Sequence, residues 1–192
     1  MQLPIAWAIT TDQDANDYDA ERALVENAKR DPAALSQLYR QHYPAIARFI
    51  HRRVGDSHEA DDIVSDVFLS MVANLRKYRC RGVPFRIWLY RLATRQLSRW
   101  ARRRRRWAMQ QLEQHPLDNA QSPAAEELDT EMIDLVLSSL PLRLQVVLTL
   151  HYLEGMKVAE IAQVLNCPVG TVKSRLSEGR ARMSERLNQR DF

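Results

Sequence analysis

The chain has 192 residues, a mass of 22.3 kDa and a formal net charge of +4. Thirteen glycines and prolines together are too few for a turn-rich all-β fold and suit helices. No stretch approaches the roughly 18 apolar residues of a membrane span, so no membrane insertion is expected. Two cysteines, Cys80 and Cys167, cannot make a disulfide framework, and a reducing, cytoplasmic setting is the expected one. Met1 to Thr11 is apolar but has no basic start and carries Pro4, which makes it a poor signal peptide.

The charge is unevenly placed. Residues 1–21 hold five acids and no base, and read as an acidic, disordered tail. Residues 22–107 hold 20 bases against seven acids. Residues 108–127 hold four acids and no base, and residues 128–192 hold eight of each. From Arg76 to Arg106 there are 13 bases without one Asp or Glu. A stretch this one-sided repels itself unless it meets a polyanion, and nucleic acid is the foremost candidate, ahead of a membrane surface.

In chain order, Asp31-Pro32 is a cap followed by proline at the first helical position. Leu35, Leu38, Tyr39, Ile46, Phe49 and Ile50 continue that helix at 3.6 spacing, with Pro44 expected to kink or restart it and Gly55-Asp56 to end it. A second helix is expected from about His58 to Leu75, on Ile63, Val67, Met71 and Leu75. Its acids Glu59, Asp62 and Asp66 share one face. That face reads as a solvated surface or, with Val64, Val67 and Phe68 leaving apolar surface beside it, as a dock for a basic partner. A loop over Arg76–Pro84 leads to a third helix from about Phe85 to Arg106. Its apolar side carries Trp88, Leu89, Leu92, Ala93, Leu97 and Trp100, and its other side carries Arg91, Arg95, Arg99 and Arg102 or Arg103. Aromatics beside a basic groove suit single-stranded nucleic acid, although each of Trp88, Tyr90 and Trp100 has core packing as its plain alternative.

Residues 108–127, with two prolines and no apolar period, read as a flexible linker. A second module follows over 128–192. Met132 to Leu137 opens it with a short helix, and Pro141 marks the next start. Val146 to Leu153 has strand-like composition but no partner strand anywhere, so it is assigned to a helix ended by Gly155. Val158, Ile161, Ala162 and Leu165, the break at Asn166-Cys167-Pro168, and then Val172, Leu176 and Met183 make a helix-turn-helix. Its second helix exposes Thr171, Lys173, Ser174, Arg175, Ser177 and Glu178, side chains able to reach major-groove edges and phosphates. The plain alternative is an αα-hairpin. The fold expected is all-α, two small helical domains on a flexible linker. His42, His51, His58, His115 and His151 show no ligand spacing with either cysteine, and no metal, cofactor or catalytic residue is expected.

Three stretches carry a resemblance. They are Ala60-Asp61-Asp62-Ile63-Val64-Ser65-Asp66-Val67-Phe68, Pro84-Phe85-Arg86-Ile87-Trp88-Leu89-Tyr90-Arg91-Leu92-Ala93-Thr94, and Ile161 through Arg175. In this order and spacing the chain resembles the extracytoplasmic-function group of bacterial RNA polymerase sigma factors, over about Leu35–Arg106 and Leu128–Leu187. The resemblance implies a non-enzymatic initiation factor whose partners are core RNA polymerase and promoter DNA, and it leaves an anti-sigma partner open. It implies polymerase docking by Asp61, Asp62, Val64, Asp66 and Phe68. It implies opening and holding of the −10 element by Tyr78, Arg79, Arg81, Arg86, Trp88, Arg91, Arg95, Arg99, Arg102 and Arg103. It implies reading of the duplex −35 element by Thr171, Lys173, Ser174, Arg175, Ser177 and Glu178. The chain departs from the family pattern at Ser65, Arg95, Arg99 and Glu178, which bears on its base preferences. The rival readings are a stand-alone helix-turn-helix regulator and a metal-dependent nuclease built on Asp62 and Asp66.

Overall fold

The computed structural model describes residues 12–79, 83–112 and 128–188, with side chains over 19–79, 83–107 and 132–188. Those residues form helices α1 (Asp12–Ala28), α2 (Pro32–His51), α3 (Ser57–Leu75), α4 (Phe85–Leu112), α5 (Leu128–Ser138), α6 (Leu142–Leu148), α7 (Val158–Leu165) and α8 (Val169–Asn188), and no strand. The all-α expectation holds.

Capping sets the helix starts. The Asp31 carboxylate accepts from the Ala33 and Ala34 N–H groups at 2.9 and 3.3 Å, ahead of Pro32. Asp56 accepts from the Glu59 N–H at 2.8 Å and starts α3. The start of α4 is capped from a distance: the Phe85 N–H donates to the Glu21 carboxylate at 3.1 Å. Glu21 lies in α1, within the stretch read as a disordered tail. That stretch is helical from Asp12, and the later turns of α1, beyond it, bury Val25 and Ala28 against the core. Composition hid this helix, because its acidic residues outnumber the few apolar ones that dock it.

Pro44 does not interrupt α2. A mid-helix proline removes one hydrogen bond and crowds the carbonyl four residues before it. Leu38 on one side of it and Ile46, Phe49 and Ile50 on the other are fully buried, so burial of both halves on one core holds the helix through that defect. After α2, the Arg53 guanidinium folds back over the Phe49 ring, 3.9 Å from its centroid, and donates to the Phe49 carbonyl, closing the helix end.

The strand-like run after Pro141 is helical, as expected. α6 passes into a π-helical turn over Thr149–Leu153, which ends at Gly155 with φ +64°. Asn166, at φ 49°, ends α7, and Asn tolerates this left-handed conformation better than most side chains. α8 crosses α6 at Gly179, where an added Cβ would stand 3.0 Å from the Leu148 side chain. Gly179 is the small residue at that crossing, and Ala162 is buried in α7.

Helices α1–α4 and α5–α8 form two groups, and the buried apolar residues of both join in one cluster. The seam runs mainly between α4 and α7.

Candidate nucleic-acid interface

Helix α4 shows how local spacing and tertiary packing divide a basic helix. Its inward side buries Phe85, Leu89, Ala93 and Leu97. Arg95, Arg99, Arg102 and Arg103 are exposed, with no ion pair or hydrogen bond from their side chains among the described residues. They keep their full charge toward solvent and suit phosphate contact. Arg86 and Arg91 lie two turns and one turn earlier and are engaged. Arg86 pairs with Glu160 of α7 at 3.2 Å, and Arg91 donates through Nε and a terminal nitrogen to the Gln163 carbonyl at 3.2 and 2.9 Å. Glu160 also accepts from the Lys157 N–H at 2.7 Å, so one carboxylate starts α7 and ties it to α4.

Other bonds cross the same seam. The Tyr90 hydroxyl donates to Glu154. Burial, and then this bond to a carboxylate, raise the Tyr90 pKa well above that of a free tyrosine. Arg52 pairs with Asp134 at 3.4 Å, and Arg53 donates to the Gln145 carbonyl at 3.4 Å. Arg53 is buried with no carboxylate in ion-pair contact among the described residues. Burial pulls its pKa down to about 9, against the attraction of Glu154.

The aromatic residues Tyr78, Trp88, Tyr90 and Trp100 near the basic helix all make contacts within the protein. Tyr78 is only 7% exposed, its hydroxyl donates to the Val83 carbonyl at 2.9 Å, and its ring packs with Phe85 and Trp88. Trp88 is half-buried in that group. The Trp100 indole N–H donates to Glu59 at 3.1 Å, on α3. Arg79 is exposed and bonds the nearby Arg76 carbonyl at 3.0 Å. Arg81 lies outside the described residues.

On α3, the expectation that Val64, Val67 and Phe68 offer apolar surface fails. They are 3%, 0% and 5% exposed, and Phe68 packs on Tyr39 and Tyr43 of α2. Two other residues, missed in the sequence, supply the apolar surface: Leu69 is 67% exposed and Val72 48%. Asp62, Ser65, Asp66, Leu69 and Val72 share one helix face by their three- and four-residue steps. Asp61 sits to one side, 3.0 Å from the His51 ring. Asp62 and Asp66 have no ion pair among the described residues, and no three His, Cys, Asp or Glu side chains there converge as metal ligands would.

On α8, Lys173, Ser174 and Ser177 face solvent, while Thr171, Arg175 and Glu178 are half-covered. Ser174 bonds back to the Thr171 carbonyl at 3.0 Å. Glu178 is held by Arg182 at 2.9 Å and Arg143 at 3.2 Å, which turns its carboxylate toward the protein's own cations.

Comparison with known proteins matches two families in chain order. Sigma-70 region 2 matches residues 38–107, and Sigma-70, region 4 matches residues 130–183. The RNA polymerase sigma-H factor of Pseudomonas aeruginosa is 31% identical over 183 residues, covering 88% of this chain and 94% of that protein. The ECF RNA polymerase sigma factor SigE of Mycolicibacterium smegmatis is 30% identical over 172 residues, and the match covers 85% of this chain and 66% of that longer protein. Among solved structures, CnrH in complex with the cytosolic domain of CnrY is 26% identical with a TM-score of 0.68, covering 90% of this chain and 99% of that one.

Proposed function

We propose that this chain, which belongs to the extracytoplasmic-function group of RNA polymerase sigma factors, divides the work of promoter-specific transcription initiation between its two helical groups. It binds core RNA polymerase, which performs the nucleotidyl transfer, and directs it to promoters. Residues 22–107 dock on the polymerase and open the −10 element, and residues 128–192 read the −35 duplex.

The observation that carries this division is the ladder of uncompensated arginines on α4, Arg95, Arg99, Arg102 and Arg103, in one chain with the solvent-facing start of α8. The ladder is a track for single-stranded backbone, with electrostatic rather than sequence-reading character. Reading at −35 falls to Lys173, Ser174, Arg175 and Ser177. Glu178 is drawn off by two arginines and contributes more to fixing Arg143 and Arg182 than to a base. The polymerase dock is the α3 face of Asp62, Asp66, Leu69 and Val72, where exposed apolar side chains flank carboxylates, the make-up of an interface core with a charged rim. Val64 and Phe68 support that face from beneath.

Co-elution with core bacterial RNA polymerase at moderate salt tests the reading. Wild type is expected to co-elute. Asp62→Arg and Leu69→Asp, both at exposed positions, are expected to lose it while keeping the wild-type helical spectrum. Failure of the wild type to co-elute, together with tight binding to duplex DNA alone, would replace this reading with a stand-alone regulator.

A further inference from the structure

The seam between the two helical groups gathers arginines from both sides into one cleft. Between the later part of α4 and helices α6–α8 lies a cavity of about 340 Å³. Arg102 and Arg105 enter it from α4, Arg143 from α6 and Arg175 from α8. None of the residues lining it is acidic. Glu178 engages Arg143 at 3.2 Å, but the side chains of Arg102, Arg105 and Arg175 have no hydrogen bond or ion pair among the described residues. Apolar side chains such as Leu97 and Val146, with Thr94 and Ser98, form the rest of the wall.

The three unpaired guanidinium groups, Arg102 and Arg105 on α4 and Arg175 on α8, repel each other across the seam, and the repulsion opposes closure; Arg143 adds less, because Glu178 balances its charge. The bonds of Tyr90 with Glu154 and of Arg86 with Glu160 hold the seam elsewhere and leave this repulsion standing. An anion lying in the cleft relieves it on both sides at once. Guanidinium forks match phosphate oxygens in pairs. A single orthophosphate is too small to engage cations on three helices, whereas a chain of two or more phosphoryl groups can span them. A duplex is far too wide for a cavity of this volume.

We propose that this cleft is a binding site for a short polyphosphate, free or carried by a nucleotide, and that the ligand holds the two helical groups together. A ligand that binds only the closed arrangement stabilises it by mass action. It also occupies Arg102 and Arg175, so it competes with promoter DNA for the same cations.

The test is calorimetric titration of the full chain in buffer free of divalent cations. The probes are tripolyphosphate, orthophosphate and adenosine triphosphate. The expected result is one tripolyphosphate per chain, bound at least tenfold more tightly than orthophosphate. Arg105→Ala on α4 and Arg175→Ala on α8 are each expected to weaken it at least fivefold. Arg76→Ala, in a separate basic hollow lined by Lys29, Arg30 and Arg79, is expected to leave it unchanged. Adenosine triphosphate binding more tightly than tripolyphosphate assigns the site to the nucleotide form, and weaker binding assigns it to the inorganic chain. Three results overturn the proposal: no binding, loss in Arg105→Ala without loss in Arg175→Ala, or several anions per chain with all arginine variants weakened alike. The second would place binding on α4 alone, and the third would reduce it to general attraction by a basic surface.

Discussion

Tyr90 offers a direct test of how strongly the two helical groups hold each other. Tyr90→Phe removes one hydroxyl and leaves the ring, which packs edge-on to Phe49 at 5.1 Å, so the core of the first group should be unchanged. What is lost is a hydrogen bond to a carboxylate across the seam. Such bonds contribute about 1.5–3 kcal/mol. Glu154 is partly exposed to water and keeps the longer-range attraction of the buried Arg53 after the change, so its charge is not stranded and the low end of that range applies. About 1.5 kcal/mol corresponds to roughly a tenfold fall in the ratio of closed to open molecules. Glu154→Gln should open the seam further, because Arg53 then loses the attraction that offsets its burial. The assay is a spin-label distance distribution between Ala73→Cys and Ser177→Cys, both exposed, with Cys80 and Cys167 replaced by Ser. Growth of a longer-distance population in the order wild type, Tyr90→Phe, Glu154→Gln is the expected outcome. Identical distributions in all three would refute the idea that this bond holds the seam.

Three further outcomes follow from the geometry. Gly179→Val should destabilise the chain by about 1–3 kcal/mol through overpacking on Leu148, lowering the melting temperature by about 2–4 °C per kcal/mol, although valine is the better helix former of the two; a rise in melting temperature would contradict the close crossing. Arg175→Ala should weaken binding of the polymerase complex to its −35 element by about 1–3 kcal/mol if the guanidinium pairs bidentately with guanine, and an equal loss on scrambled DNA would reduce its role to phosphate contact. Burial depresses the His42 pKa from 6.5 to about 4, so the unfolded chain takes up a proton below pH 6.5 that the folded chain refuses; stability is whole above that pH and should fall by up to about 3 kcal/mol as pH drops toward 4. Glu21, 3.4 Å away and raised by its own burial, binds a proton more readily when folded and offsets part of that loss. Urea titrations of wild type and His42→Gln across this range measure the difference, and a pH profile unchanged by the substitution would show that His42 is not the group responsible.

The elements legible in the sequence were those whose signals are local. Asp31-Pro32, Gly155 and Asn166 mark their boundaries by backbone chemistry that needs no tertiary partner, whereas Asp56, read with Gly55 as the end of α2, caps α3 instead, α2 having stopped at His51. Periodicity placed α2, α3, α4, α7 and α8. What stayed hidden depended on contacts far along the chain. Helix α1 is docked by Val25 and Ala28 and fastened by Glu21 to the start of α4, 64 residues away, and no pattern within residues 1–21 announces that bond. On α3 the apolar residues cover more than half the circumference, so spacing alone could not say which of them faced outward. Tyr39 and Tyr43 of α2 decide it by packing on Phe68, which leaves Leu69 and Val72 in solvent.

The arginines of α4 take this furthest. Arg91 and Arg95 are one turn apart, with the same side chain and similar neighbours, and as sequence they are interchangeable members of one basic stripe. In the fold Arg91 is committed to the Gln163 carbonyl and Arg95 is free toward solvent. The difference comes entirely from where α7 crosses α4. A cation engaged in this way must give up a hydrogen bond before it meets a phosphate, whereas a free one gives up only water. Arg95, Arg99 and Arg103 are therefore available to DNA in the closed chain, while Arg86 and Arg91 become available only when the seam parts. A salt titration of single-stranded DNA binding distinguishes the two sets: the dependence on salt should be shallower after Arg95→Ala or Arg99→Ala and unchanged after Arg91→Ala in the free protein, and in the polymerase complex, if the seam parts there, all three should flatten it. Equal effects of the three substitutions in the free protein would mean that the α4–α7 contact does not hold in solution.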